Sequence, residues 1–176
     1  MNSRDHSFSV TINRNASHFC ASHALVLDEY VEGLHGHNYR VEVEITGNVT
    51  DEGILIDFIF LEELIKQLLS DWDHYTLFPS HNPRIEILTS ELDLNLQISY
   101  TDRVYSIPRA EVKLLPCVNV TTETLARLLS EKLAETLQNH PSWEQIYSIT
   151  VTIWETQYYM ASYTFRRDDP TLAKIC

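Results

Sequence analysis

The chain is predicted to be an α+β protein with an antiparallel sheet, and three features of its sequence say so. Tyr39, Val41, Val43 and Ile45 alternate with Arg40, Glu42 and Glu44, the period-2 pattern of a half-buried strand. Two other segments carry apolar residues at helical spacing. The elements run strand, strand, helix, hairpin, helix, strand, strand, which keeps strand pairs apart from helices and points to a sheet covered by helices on one face.

The first strand is expected from about Ser7 to Leu27, a stretch rich in β-formers with a bend near Asn13-Arg14-Asn15. The second runs from Asn38 to Gly47, followed by a turn over Asn48–Gly53. Asp57 is a good N-cap, and Leu61, Leu64, Ile65, Leu68 and Leu69 then form one helical face, ending near Asp71-Trp72-Asp73-His74. Pro79 and Pro83 punctuate a loop. Leu94, Leu96 and Ile98, then Val104 and Tyr105, predict a hairpin turning at Thr101-Asp102-Arg103. A second helix fits Thr122–Gln138, with Leu125, Ala126, Leu128, Leu129, Leu133 and Leu137 along one side and Glu123 favoured by the dipole in its first turn. Two strands, Ile146–Trp154 and Tyr158–Phe165, close the chain around a turn at Glu155-Thr156-Gln157. A sheet of four strands leaves open edges, which a homo-oligomer would pair.

The 176 residues suit a single domain with room for a sizeable core, and a hydrophobic content of 44% with 22% charged residues is that of an ordinary globular chain. A net charge of -12 excludes a general nucleic-acid binder, which needs a basic face to displace counterions. Three cysteines, Cys20, Cys117 and Cys176, without paired spacing are no disulfide framework. The start, Met1 to His6, is polar, and no apolar run approaches the roughly 20 residues of a membrane span. A cytoplasmic location with no membrane partner is the expectation.

The densest chemical signal is Leu34-His35-Gly36-His37-Asn38-Tyr39. Histidines at i and i+2 of an extended segment project from the same face, so both imidazoles can reach one ion at about 2.0–2.1 Å. Gly36 between them permits close approach of another group. His23 is the best candidate for a third ligand. Three neutral imidazoles leave zinc an open fourth position, the pattern of a catalytic centre. His6, His18, His81 and His140 show no such clustering.

Phe19-Cys20-Ala21-Ser22-His23, followed by His35-Gly36-His37-Asn38-Tyr39, resembles the 6-pyruvoyl-tetrahydropterin synthase and 6-carboxy-tetrahydropterin synthase family. Ile56-Asp57-Phe58, Asp73-His74 with Leu77, Asn119-Val120-Thr121-Thr122-Glu123 and Trp154-Glu155-Thr156 resemble later segments of that family, in order over nearly the whole chain. The resemblance implies the tunnelling fold, a four-stranded antiparallel sheet with two helices, assembled through its sheets into trimers or hexamers with active sites at subunit interfaces. It implies Zn2+ on His23, His35 and His37, acting as a Lewis acid on the side chain of a dihydropterin. By the same matching, Asp73 and His74 would relay protons. Glu155 would anchor the pterin ring through a bidentate, charge-assisted pair, and Thr121 and Thr122 would complete the ring's hydrogen bonds; the two threonines also suit N-capping of the second helix.

Two departures mark this chain. The cysteine that the best-known members carry four residues before His-Gly-His falls on Val31, and Cys20, three residues before His23, would face away from it on a strand. Glu32 stands three residues before His35. This resembles the branch in which glutamate replaces cysteine, which is associated with cleaving dihydroneopterin triphosphate to 6-hydroxymethyl-7,8-dihydropterin. The expected activity is therefore that of a zinc-dependent lyase; 6-carboxy- or 6-pyruvoyl-tetrahydropterin synthesis, or non-catalytic zinc and pterin binding, are the alternatives. The second departure is an insertion at about 84–118, where a hairpin would cover the site or alter oligomer contacts. Arg40, Lys66, Arg84, Arg103, Arg109 and Lys113 are candidates for holding a triphosphate.

Overall fold

A computed structural model describes residues 7–88 and 94–169; the polar start Met1–His6 lies outside them. The first strand, β1 (Phe8–His23), pairs antiparallel with β2 (His35–Gly47). Their register slips between Ile12 and Ser17, at the predicted bend, where Asn15 Oδ1 accepts from Arg40 at 3.0 Å. β2 begins at His35 rather than Asn38, and β1 ends at His23 rather than Leu27, so the histidines sit on the sheet and not beside it.

α1 (Phe58–Leu69) starts where the N-cap predicts: the Asp57 carboxylate accepts from the Phe60 backbone N–H at 2.8 Å. α2 (Thr122–Leu137) is capped by the Thr121 hydroxyl, as its sequence pattern requires. Both helices lie in one core with the inward residues of the sheet, among them Phe19, Tyr39, Val41, Val43, Ile149 and Val151, all fully buried. The buried Ser130 hydroxyl ties α2 to the sheet by donating to the Ile149 carbonyl at 3.0 Å. The outward face is polar, with Thr150 bonded to Thr164 and Thr152 to Ser162 across the last two strands.

The α+β class and the two helices hold, and the four antiparallel strands are present, but the sheet is wider than expected. β3 (Tyr75–Pro79) joins β1 in parallel, and β7 (Val112–Leu115) joins β3 in parallel. With β8 (Ile146–Trp154) and β9 (Met160–Arg166) the order becomes β7-β3-β1-β2-β8-β9. Pro79 does not mark a loop here: it closes β3, where its missing N–H costs no ladder bond. The predicted hairpin is likewise larger than expected. β5 (Asn95–Tyr100) and β6 (Arg103–Pro108) turn at Thr101 and Asp102, and β4 (Glu86–Leu88) adds a third strand. The last strand starts at Met160, two residues later than expected.

Gly47, at the end of β2, shows how closely the sheet meets its surroundings. A Cβ there would lie 2.1 Å from the Gln145 carbonyl oxygen and 2.9 Å from Leu55 Cδ1. Backbone cannot yield as a side chain tip can, so Gly47→Ala should lower stability by about 1–3 kcal/mol. A reduced urea midpoint with unchanged slope is the expected measurement; an unshifted midpoint would contradict the packing.

Candidate metal and ligand site

The β1–β2 register builds the site. His23 is paired directly with His35, Ala21 with His37, and Phe19 with Tyr39. Directly opposed residues share a face and stand a few ångströms apart. His23, His35 and His37 therefore converge, each offering a ring nitrogen within 4.8 Å of the others. Ring centroids are 4.6 Å apart for His23 and His35 and 4.8 Å for His35 and His37. Gly36 sits between the two β2 histidines, where a Cβ would press on the Ala21 carbonyl at 3.3 Å.

Backbone carbonyls orient two of the rings. His23 Nδ1 lies 2.8 Å from the Val120 carbonyl, and His35 Nδ1 lies 2.8 Å from the Gly33 carbonyl. A carbonyl only accepts, so each Nδ1 carries the proton and each Nε2 presents a lone pair. Nε2 of His23 and Nε2 of His37 are buried without a hydrogen-bond partner. Leaving a buried polar atom unmade costs about 1–3 kcal/mol, and two such atoms at one point fit a cation. This chain's donor set thus suits zinc: three converging nitrogens, two of the rings oriented from behind by backbone carbonyls.

Glu155 stands against two of these rings. It follows β8, one step beyond the Arg40–Trp154 pair, and so faces the β2 surface beside Tyr39. Its Oε1 lies 3.5 Å from Nε2 of both His23 and His37. The 155–159 turn is held by Glu155 N–H to the Tyr159 carbonyl at 3.0 Å and by Thr156 Oγ1, which accepts from the Tyr158 and Tyr159 N–H groups. Glu32 approaches from the β1–β2 loop, with Oε1 3.9 Å from His35 Nε2. Glu32, Thr121, Thr122 and Glu155 line one cleft with His23, of about 320 Å³.

Asp73 and His74 are elsewhere in the chain. Asp73 borders a different groove with Ser17, His18 and Lys66. Its Oδ1 accepts from the Cys20 N–H at 2.8 Å, and its Oδ2 lies 3.0 Å from His74 Nδ1. Burial alone would raise the Asp73 carboxyl; the Cys20 N–H and the His74 ring outweigh it and hold the group below the ordinary carboxylate range. His74 is 81% exposed at its side chain and takes a left-handed φ of 64°, a conformation uncommon outside glycine. One chain does not bring this pair to the imidazole cleft.

Burial lowers the pKa of His23 and of His37 below the ordinary 6.5, against the pull of the Val120 carbonyl on His23 and of Glu155 on both. Both rings are thus neutral, as ligands must be. The sign for stability follows. Below pH 6.5 the unfolded chain takes up protons that the folded chain refuses, so metal-free protein loses stability as pH falls through the imidazole range. Urea midpoints of chelator-treated protein should be flat from pH 8 to 7 and decline between about 6.5 and 5; an equal midpoint at both ends would contradict the burial of these rings.

In the sequence Tyr39 is legible as an inward strand residue and as the end of the histidine motif, with no role of its own. Its fully buried ring stacks on Phe19 at 4.7 Å and meets His37 edge-on at 5.4 Å. Burial and the Glu155 carboxylate push its phenol far up, so it stays protonated. The carbonyls of Val120 and Gly33 carry no side-chain signal, and Tyr159, Met160 and Ala161 enter the cleft only because β9 folds back beside it.

The family model for 6-pyruvoyl tetrahydropterin synthase matches residues 11–166. A provisionally named 6-carboxy-5,6,7,8-tetrahydropterin synthase of Pyrococcus abyssi is 35% identical over 78% of this chain and 79% of its own length. The dihydroneopterin monophosphate aldolase of Pyrococcus furiosus is 29% identical over 54% of this chain and 76% of its own. Among solved structures, 6-pyruvoyl tetrahydropterin synthase of Plasmodium vivax superposes with a TM-score of 0.85 at 24% identity, covering 92% of this chain and 99% of that one.

Proposed function

The chain belongs to the 6-pyruvoyl tetrahydropterin synthase family, and from that premise we propose that it is a zinc-dependent lyase that shortens the side chain of a dihydropterin. The substrate in this reading is 7,8-dihydroneopterin triphosphate and the product 6-hydroxymethyl-7,8-dihydropterin. The observation that carries it is one cleft lined by Glu32, Glu155 and His23, whose ring converges with those of His35 and His37; Nε2 of His23 and of His37 is buried without a hydrogen-bond partner.

His23, His35 and His37 would hold zinc, which when bound supplies Lewis-acid polarisation of the substrate's side-chain hydroxyls. Glu155 accepts two adjacent N–H groups of the pterin ring, and the Thr121 and Thr122 hydroxyls complete that edge. Glu32 then accepts the proton of a side-chain hydroxyl. The neighbouring carbon–carbon bond breaks as that oxygen becomes a carbonyl, and the bonding pair passes into the conjugated ring. The carbon left on the ring is reprotonated. Asp73, half-buried, and His74, exposed, do not line their own chain's cleft and would move protons for a neighbouring copy in a homo-oligomer, a trimer or hexamer.

Two relatives support different outcomes. The Pyrococcus furiosus aldolase favours carbon–carbon cleavage, and Val31, standing where the resemblance expects cysteine, agrees with it. The Pyrococcus abyssi relative favours a 6-carboxy product. Zinc-loaded protein incubated with dihydroneopterin triphosphate and read by mass spectrometry separates them. A 6-hydroxymethyl product is expected; a 6-carboxy or 6-pyruvoyl product overturns the cleavage reading. Tight pterin binding without turnover would leave a non-catalytic binder.

A further inference from the structure

The inserted strands do not line the imidazole cleft. Leu96, Ile98 and Tyr100 of β5, with Ile85 and Val112, form a second core beside the main one. The segment between His23 and His35 contributes to the same core: Ala24 and Val26 lie fully inside it, and Val31 and Leu34 pack against it. This is the segment that carries Glu32. Its ends are the two metal-bearing strands, and its interior has little regular structure of its own.

We propose that the inserted three-stranded sheet positions the 24–34 segment, and with it the Glu32 carboxylate, against the metal site, with Ile98 and Val31 as positioning residues. The inference rests on the reading of Glu32 as the proton acceptor. Loops without buried side chains move readily. This one is anchored by apolar residues that pack into the insertion's core, while the residue next to Val31 points at His35.

Polar ties run the same way. Asn82, at the entry to the insertion and 5% exposed, donates from Nδ2 to the Val26 carbonyl at 3.0 Å. Arg84 forms an ion pair with Asp28. Within the segment, Val26 and Val31 form a bridge, Leu27 N–H donates to the Tyr30 carbonyl, and Glu32 N–H donates to the Leu25 carbonyl at 2.8 Å. The Glu32 backbone is thus fixed to a hairpin whose floor is the inserted sheet. Its own side chain is 41% exposed and meets His35 at 3.9 Å, so backbone placement decides where the carboxylate sits.

The test removes the floor without touching the cleft. Ile98 is fully buried in the second core, and Ile98→Ala leaves a cavity that the segment can relax into. Amide exchange at Leu27 and Glu32 should speed by tenfold or more, with β8 amides unchanged. Turnover of the zinc-loaded enzyme should show kcat lowered at least tenfold with KM and zinc content unchanged. Val31→Ala, a smaller lesion from the loop side, should do the same more weakly and carries the test if Ile98→Ala does not fold. Val104→Ala, on the exposed side of β6, should change neither readout.

Wild-type exchange at Leu27 and Glu32 in a folded variant overturns the proposal. So does exchange that accelerates equally in β8, which would signal general destabilisation. Glu32→Gln keeps the two readings apart. If that variant turns over normally, Glu32 is not the proton acceptor, and the exchange experiment still judges whether the insertion holds the segment.

Discussion

Replacing His37 by alanine is expected to abolish zinc binding at micromolar concentrations and to lower turnover by about a thousandfold or more. The ring supplies one of three converging nitrogens, and its Nε2 is buried with no hydrogen-bond partner. Two imidazoles and water hold a borderline-soft cation far less tightly than three. The fold should survive, because the change removes a desolvated polar atom rather than a packing anchor. Thermal shift reads both halves at once. In the wild type, zinc at about a thousand times its Kd should add roughly 4 kcal/mol to stability. In His37→Ala that increment should vanish while metal-free Tm stays near the wild-type value. A variant that still gains the full increment would show that the imidazole cluster is not the metal centre.

Glu32→Gln is expected to cut kcat by about 10²–10⁴-fold, the usual contribution of a positioned general base. The amide keeps the size and placement of the carboxylate, and Glu32 lies at the edge of the cleft rather than in its core. Zinc content and the zinc-dependent rise in Tm should therefore be unchanged, and so should pterin binding, which this reading assigns to Glu155. The contrast with His37→Ala is the informative part: one variant loses metal and activity together, the other loses activity alone. Wild-type turnover in Glu32→Gln would remove the residue from the mechanism and reopen the question of what replaces the cysteine absent at Val31.

Much of the site is legible in the amino-acid sequence because its signals are local. The alternation through β2 puts His35, His37 and Tyr39 on one face, and burial follows it, with Tyr39, Val41, Val43 and Ile45 fully buried and Arg40 exposed. Asp57 and Thr121 announce their helices by capping chemistry, which depends on three or four neighbouring residues. β3 and β7 are not legible in the same way. They are short, pair in parallel with partners far along the chain, and owe their existence to the edge of β1 rather than to their own pattern. β5 and β6 read as a hairpin because Thr101 and Asp102 mark a turn, while β4, three residues long, carries too few positions to show a period.

By itself the amino-acid sequence determined the two helices, the four antiparallel strands and the β5–β6 hairpin, the placing of His35 and His37 on one strand face, and the family, since each is written in spacing and neighbouring chemistry. Only the tertiary structure decided that His23 stands opposite His35, that Glu155 reaches within 3.5 Å of two imidazoles, and that Asp73 and His74 lie away from that cleft. It also decided that the three-stranded β4-β5-β6 sheet packs against the Glu32 loop instead of lining the imidazole cleft. These depend on strand register and on which apolar faces meet, and a one-residue slip between β1 and β2 would turn His23 away from its partners while leaving every local pattern intact.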